Sequence, residues 1–168
     1  MKCRLFFSTV FFLIFSGGYS QSDNLAPSDS PENFIRSLYR DHLSQYDKKY
    51  LFDNKEKLSK YFDSNLTALF LRDEECKNIT QGICNLDFDP IIDAQDLDNK
   101  YPVSFEVKRL NYKSQTRCKV IFTNITKRTI SYELRRTKLG WRIIDITYSN
   151  GQSLKKLLSQ KPYVIKQP

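Results

Sequence analysis

Glycine is scarce in this chain of 168 residues: there are five, and two of them, Gly17 and Gly18, fall in the first twenty positions. Beyond these stand Gly82, Gly140 and Gly151. They are too far apart to form a glycine-rich loop that cradles phosphate. Histidine is scarcer, with His42 alone. A single His and no Cys-x-x-Cys spacing argue against a zinc site. No Ser sits in the Gly-x-Ser-x-Gly context of a nucleophile elbow. The usual hydrolase chemistries therefore have little to work with, and no catalytic residue, metal or cofactor is expected. Blocks of like charge are also missing. The formal charge of +8 is spread over single Lys and Arg residues and short pairs, as at Lys48-Lys49, Arg135-Arg136 and Lys155-Lys156. Such spacing reads as solvated surface rather than as a nucleic-acid footprint. Internal repeats and low-complexity tracts are absent.

One long apolar run is present. Leu5 to Phe15 is almost continuously apolar, follows Lys2 and Arg4, and leads to Gly18-Tyr19-Ser20. That order predicts a secretory signal peptide cleaved near Ser20/Gln21. A membrane-spanning helix needs roughly 20 apolar residues, about twice this core. Cys3 lies in the basic start rather than at the cleavage point, which argues against a lipoprotein. The expected location is the periplasm or the cell exterior, with no transmembrane segment in the mature chain. Loss of Lys2 and Arg4 lowers the formal charge from +8 to +6.

Export makes disulfides permissible. Cys76 and Cys84 flank a short polar segment and are expected to pair, a closure that contributes about 2–3 kcal/mol in the chain-entropy view. Cys118 alternates in register with Val120 and Phe122, so it reads as a small hydrophobe on the core face of a strand. Sequons at Asn65, Asn78 and Asn124 matter only in a eukaryotic secretory pathway.

The organisation changes midway. Residues 21–30 form a polar leader. Ser30-Pro31-Glu32 is a helix start, with a cap, a proline in the first turn and an acid behind it. Phe34, Ile35, Leu38, Tyr39, Leu43 and Tyr46 recur at helical spacing to about Lys49. Leu58, Tyr61, Phe62, Leu66, Leu69 and Phe70 mark a second helix, ending before the cysteine loop. After the acidic stretch from Leu86 to Asn99 the period becomes two. Val103–Val107, Cys118–Phe122, Ile130–Leu134 and Trp141–Tyr148 predict four strands in an antiparallel meander. Ser153 to Gln160 predicts a short closing helix, and 161–168 a loose tail. The fold class is α+β, one domain over 31–160: N-terminal helices on a curved sheet, with a cavity between them.

Two constellations stand out. The first is the acidic segment with Asp87, Asp89, Gln95 and Asp96. Pro90 and the missing sixth-position glycine break the EF-hand order. A solvated loop or a partner-facing surface remains. The second is Trp141-Arg142-Ile143-Ile144-Asp145. Strict alternation puts Trp141, Ile143 and Asp145 on one face. A half-buried carboxylate is costly unless paired or hydrogen-bonded, so Asp145 either faces a polar pocket together with Trp141 and Tyr39, pairs with an Arg such as Arg109, or lies at an edge. His42 reads as a surface or packing residue.

Leu86, Asp87, Asp89, Pro90, Gln95 and Asp96, then Trp141, Ile143, Asp145 and Ile146, then Ser153-Leu154 carry a resemblance to a bacterial exported family of unknown function with an NTF2-like fold. It covers about Pro31 to Gln160. It implies a cone-shaped domain in the periplasm and no particular reaction, since that superfamily hosts enzymes and binders alike. Three functions fit. The first is a non-enzymatic module contacting another envelope protein or itself as a homodimer. The second is a small-ligand pocket protein with lyase or isomerase chemistry. The third is an exported inhibitor or immunity protein using the acidic loop.

Overall fold

The computed structural model describes residues 30–46, 51–52, 54–112 and 115–161. The expected signal peptide, nearly all of the leader, and the tail beyond Lys161 lie outside the described residues.

Helix α1 spans Pro31–Ser44. Its start follows the sequence signal: the Ser30 side chain accepts from the backbone N–H of Asn33, and Pro31 occupies the first turn. Ile35, Leu38, Tyr39 and His42 form its buried stripe.

The expected second helix is two helices. Helix α2 covers Lys55–Tyr61 and α3 covers Ser64–Thr80. Between them Phe62 turns extended, with φ −102° and ψ 154°. It bridges Ile143, while the Asp63 N–H donates to the Ile143 carbonyl at 3.0 Å. Asp63 then caps α3 by accepting from Leu66 N–H. The apolar stripe runs across this break, which is why its periodicity conceals the break. Helix α3 also carries Cys76 and runs on to Thr80, so the cysteine loop is largely helix. Gln81, at φ 53°, ends it in the left-handed region. Cys76 and Cys84 are disulfide-bonded, as expected.

Four strands follow: β1 Ser104–Tyr112, β2 Gln115–Thr123, β3 Lys127–Thr137 and β4 Gly140–Tyr148. They form an antiparallel meander in the order β1-β2-β3-β4. Helix α4, Leu154–Leu158, closes the described chain. The α+β class and the four-stranded antiparallel sheet stand as read from sequence. Val107, Cys118, Val120, Phe122, Ile130, Tyr132, Leu134, Ile143, Ile146 and Tyr148 supply the buried side of the sheet, which packs with the helices in one core. Cys118 is free and buried there, and burial pushes its thiol up to about 12.

One register detail corrects the strict alternation expected in β4. Glu133 pairs with Asp145, but Leu134 pairs with Ile143, so Ile144 is an extra residue: a β-bulge. The inserted residue resets the parity. Ile143, Ile146 and Tyr148 are buried, and Asp145 does not share the face of Ile143.

Candidate functional site

The acidic segment is the part of the molecule whose structure departs furthest from its composition. Its centre is buried. Ile91 and Ile92 are 0% exposed and Leu86 is 7% exposed. Asp93 adopts φ 55°, a conformation that Asp tolerates better than most residues. The Asp93 N–H donates to the Asp89 carbonyl and the Asp89 N–H to the Ala94 carbonyl, closing a tight double turn. Residues 86–96 thus form a strap laid over the core.

Three tyrosines fasten the strap from below. Tyr39 of α1 donates to the Ile91 carbonyl at 2.7 Å, and Tyr132 of β3 donates to the same carbonyl at 3.1 Å. Their hydroxyls lie 3.0 Å apart. Tyr148 of β4 donates to the Pro90 carbonyl at 3.2 Å. A turn without helix or sheet partners must place its carbonyls somewhere, and here they are met by phenols. Burial raises all three phenols above their ordinary value of 10.0, with nearby acids such as Asp89 adding to it.

His42 joins the same cluster. Its Nε2 lies 2.6 Å from Oδ2 of Asp89, and its side chain is 5% exposed. The other Asp89 oxygen accepts from the Ile91 N–H. Tyr46 and Phe52 stand edge-on to the imidazole. The sequence places His42 as a surface or packing residue; it is packed, with Asp89 as a buried partner. The signal for packing is present in the sequence, because His42 falls in helical phase with Ile35, Leu38 and Tyr39. Asp89 comes from a segment 47 residues away.

The pocket candidates are not brought together. Tyr39 is in the strap cluster, stacked on Phe105 with ring centroids 4.8 Å apart. Asp145 works as an end-cap for α4: it accepts from Lys155 N–H at 3.0 Å and from the Ser153 hydroxyl at 2.7 Å. It also accepts from Ile146 N–H. Trp141 packs at the margin of the core, with the Arg136 guanidinium 5.2 Å from its ring centroid. Among the partner-facing candidates, Asp87, Gln95 and Asp96 are exposed, whereas Asp89 is taken up by His42.

An open depression of about 530 Å³ lies on the outer side of the strap, lined by Phe88, Asp93, Ala94, Gln95, Asp96 and Arg128. Arg128 comes from β3, so the sheet and the strap both build it. Partial burial raises the Asp93 carboxyl above its ordinary value, and the Arg128 charge pulls against that. Two carboxylates, a guanidinium, an amide and one aromatic ring can hold a small molecule bearing both a cationic and an anionic group. Within the described residues no group of three or more His, Cys, Asp or Glu is placed to hold a metal ion. No described helix is long and apolar enough to cross a membrane.

No family model and no curated protein matches the chain. Among solved structures, the chain is similar to a phospholipid-binding protein from Ralstonia solanacearum determined in complex with a phospholipid. The two are 11% identical over 76% of this chain and 82% of that one, with a TM-score of 0.42. Likeness at that level carries no inference about ligand.

Proposed function

We propose that the protein is an exported, non-enzymatic domain of NTF2-like cone type that binds a small zwitterionic ligand in the depression beside the strap. The observation that carries this reading is the convergence of Asp93, Asp96, Gln95 and Arg128 around one opening of about 530 Å³, a size within the range of small-molecule sites. Carboxylates from the strap and a guanidinium from β3 suit a ligand with an amine and an anionic group. Beneath the strap, Tyr39, Tyr132, Tyr148, Ile91 and Ile92 are buried, which favours the outer depression over the space between helices and sheet as the ligand site. The Cys76–Cys84 disulfide supports an oxidising compartment, in keeping with the N-terminal leader pattern. A non-enzymatic role is supported by His42, whose Nε2 is taken up by Asp89 in the core rather than facing the depression.

Calorimetric titration of the mature protein with a panel of amino acids and dipeptides tests the reading. Binding of at least one member, weakened about tenfold or more by Arg128→Gln and by Asp96→Asn, is the expected result. Heats that are absent across the panel, or indifferent to both substitutions, would overturn it.

A second reading, self-association, rests on a different observation. Strand β1 pairs with β2 on one side, and its other edge has no strand partner within the described residues. Tyr101, Val103 and Ile125 are exposed at one end of it. Open edges are ready templates for pairing with another chain. Light scattering across a concentration series, with Val103→Lys as the comparison, distinguishes a dimer through this edge from a monomer.

A further inference from the structure

The opposite end of the sheet has a different chemistry. In an antiparallel meander the β1–β2 and β3–β4 turns share one end. The described residues of this end, 109–112, 115–117 and 134–144, contain six Lys or Arg and no Asp or Glu; of the six, Arg117 lies 3.7 Å from Glu133. At the apex of the β3–β4 hairpin, Leu139 is 83% exposed, the most exposed large hydrophobic side chain described. It is held there rather than left loose. The Thr137 hydroxyl donates to the Gly140 carbonyl at 2.8 Å and accepts from the Leu139 N–H at 3.2 Å. Arg142 donates to the Leu139 carbonyl at 3.2 Å. Gly140 supplies the positive φ of 99° that the turn needs.

We propose that this hairpin tip docks the protein onto an anionic lipid surface. Four features point the same way. The apolar side chain leads, at the apex. Arg135, Arg136 and Lys138 stand exposed just behind it, at the depth of lipid phosphates when Leu139 enters the acyl boundary. Trp141, half-buried with Arg136 over its ring, stands at the level where indoles favour the membrane interface. The described residues of the two stretches hold no carboxylate, and Glu133, one residue before the second, is paired with Arg117 rather than placed at the tip. An acidic protein partner would be met by the same cations, but it gives no reason for a rigid turn to present a bare leucine to water. The tip is far too short to span, so the contact is peripheral and reversible. It is also separate from the strap depression and does not depend on that site.

Trp141 is the sole tryptophan of the chain, so its fluorescence reports on the tip directly. Mature protein is mixed with vesicles of phosphatidylcholine, or of phosphatidylcholine and phosphatidylglycerol in equal parts, then sedimented. Binding to the mixed vesicles, a blue shift of the Trp141 emission, and loss of both on adding salt are expected. Each neutralised cation near the surface lowers the partition about fivefold, so the double variant Arg135→Gln with Lys138→Gln falls about 25-fold. Leu139→Asp falls by at least as much, and its melting temperature stays within a degree or two of the parent because the side chain is exposed. Equal binding to both vesicle types overturns the proposal, as does no binding to the mixed vesicles at low salt. If the mixed vesicles bind but Leu139→Asp is indistinguishable from the parent, docking by this tip is also refuted. Binding to soluble polyglutamate in place of vesicles assigns the surface to an acidic protein instead.

Discussion

The two sides of the strap at residues 86–96 are made from neighbouring residues and behave as opposites. Its inner side is Pro90, Ile91 and Ile92, with backbone carbonyls met by the hydroxyls of Tyr39, Tyr132 and Tyr148. Its outer side is Asp93, Gln95 and Asp96, side chains that face an open depression with Arg128. Inside, the backbone is tied down and the side chains are pure packing. Outside, the side chains of Gln95 and Asp96 are exposed, and the Asp93 N–H is held by the Asp89 carbonyl. A binding surface that must keep its shape needs this division: rigidity from residues that touch no ligand, and chemistry from residues that hold nothing together.

The comparison breaks most clearly with paired alanine substitutions. Ile91→Ala, at a position 0% exposed, removes packed methyl groups and is expected to cost about 2–5 kcal/mol. Gln95→Ala, four residues along on the exposed side, is expected to stay within about 0.5 kcal/mol. Urea unfolding of the two variants beside the parent measures both. Similar costs would mean that the strap has no distinct inner side.

The tyrosines sharpen it next. The Ile91 carbonyl accepts from both Tyr39 and Tyr132, so Tyr39→Phe or Tyr132→Phe alone leaves it one donor. Each single change is expected to cost about 1 kcal/mol, the net worth of an ordinary hydrogen bond. The double change leaves a buried carbonyl without either phenol and is expected to exceed the sum of the singles by about 1 kcal/mol or more. Simple additivity in a double-mutant cycle would show that the two phenols act independently.

The same phenols set an alkaline limit. Their folded-state values are raised by burial above the ordinary 10.0. Above pH 10 the unfolded chain loses these protons while the native state keeps them, so the unfolded state binds fewer protons and stability falls as pH rises. Below pH 10 the contribution is fully present. The expected slope above that point is about 1.4 kcal/mol per pH unit for each phenol, read from melting temperatures between pH 9 and 12. The Tyr39→Phe, Tyr132→Phe double variant should lose two phenols' share of that slope. Asp93, on the outer side, contributes nothing in this range.

How much of this was legible depends on distance along the chain. Helix α1 and the four strands follow from local period and from a capping Ser before a proline. The break at Phe62-Asp63 is hidden because Leu58, Phe62 and Leu66 keep helical phase across it. Asp63-Ser64 is a cap signal, but its weight comes from Ile143, which lies 80 residues on and supplies the bridge. The strap is hidden for a related reason. Its four Asp residues between 87 and 96 dominate its composition, and the apolar run Pro90-Ile91-Ile92 has meaning only once Tyr39, Tyr132 and Tyr148 arrive from three other elements. Arg128 in the depression has the same character: one Arg in a hairpin strand, indistinguishable in sequence from its neighbours. Local rules recover elements, while the site is assembled from non-local pairings.

Asp145 provides the mildest test, and it concerns the same contrast between holding and binding. Strict alternation places it with Trp141 and Ile143, where a pocket carboxylate could act as a base. The bulge at Ile144 turns it away, and it takes Ser153 and the first turn of α4 instead. As a cap, it is expected to cost about 1 kcal/mol on Asp145→Ala, in the usual range for losing such an acceptor. Asp145→Asn should recover part of that, because its amide oxygen still accepts from the Lys155 N–H while its NH2 cannot accept from the Ser153 hydroxyl. The ligand affinity of the strap depression should be unchanged in both variants. A loss of affinity with no change in melting temperature would return Asp145 to the list of binding residues, and would mean that the bulge serves to aim it rather than to retire it.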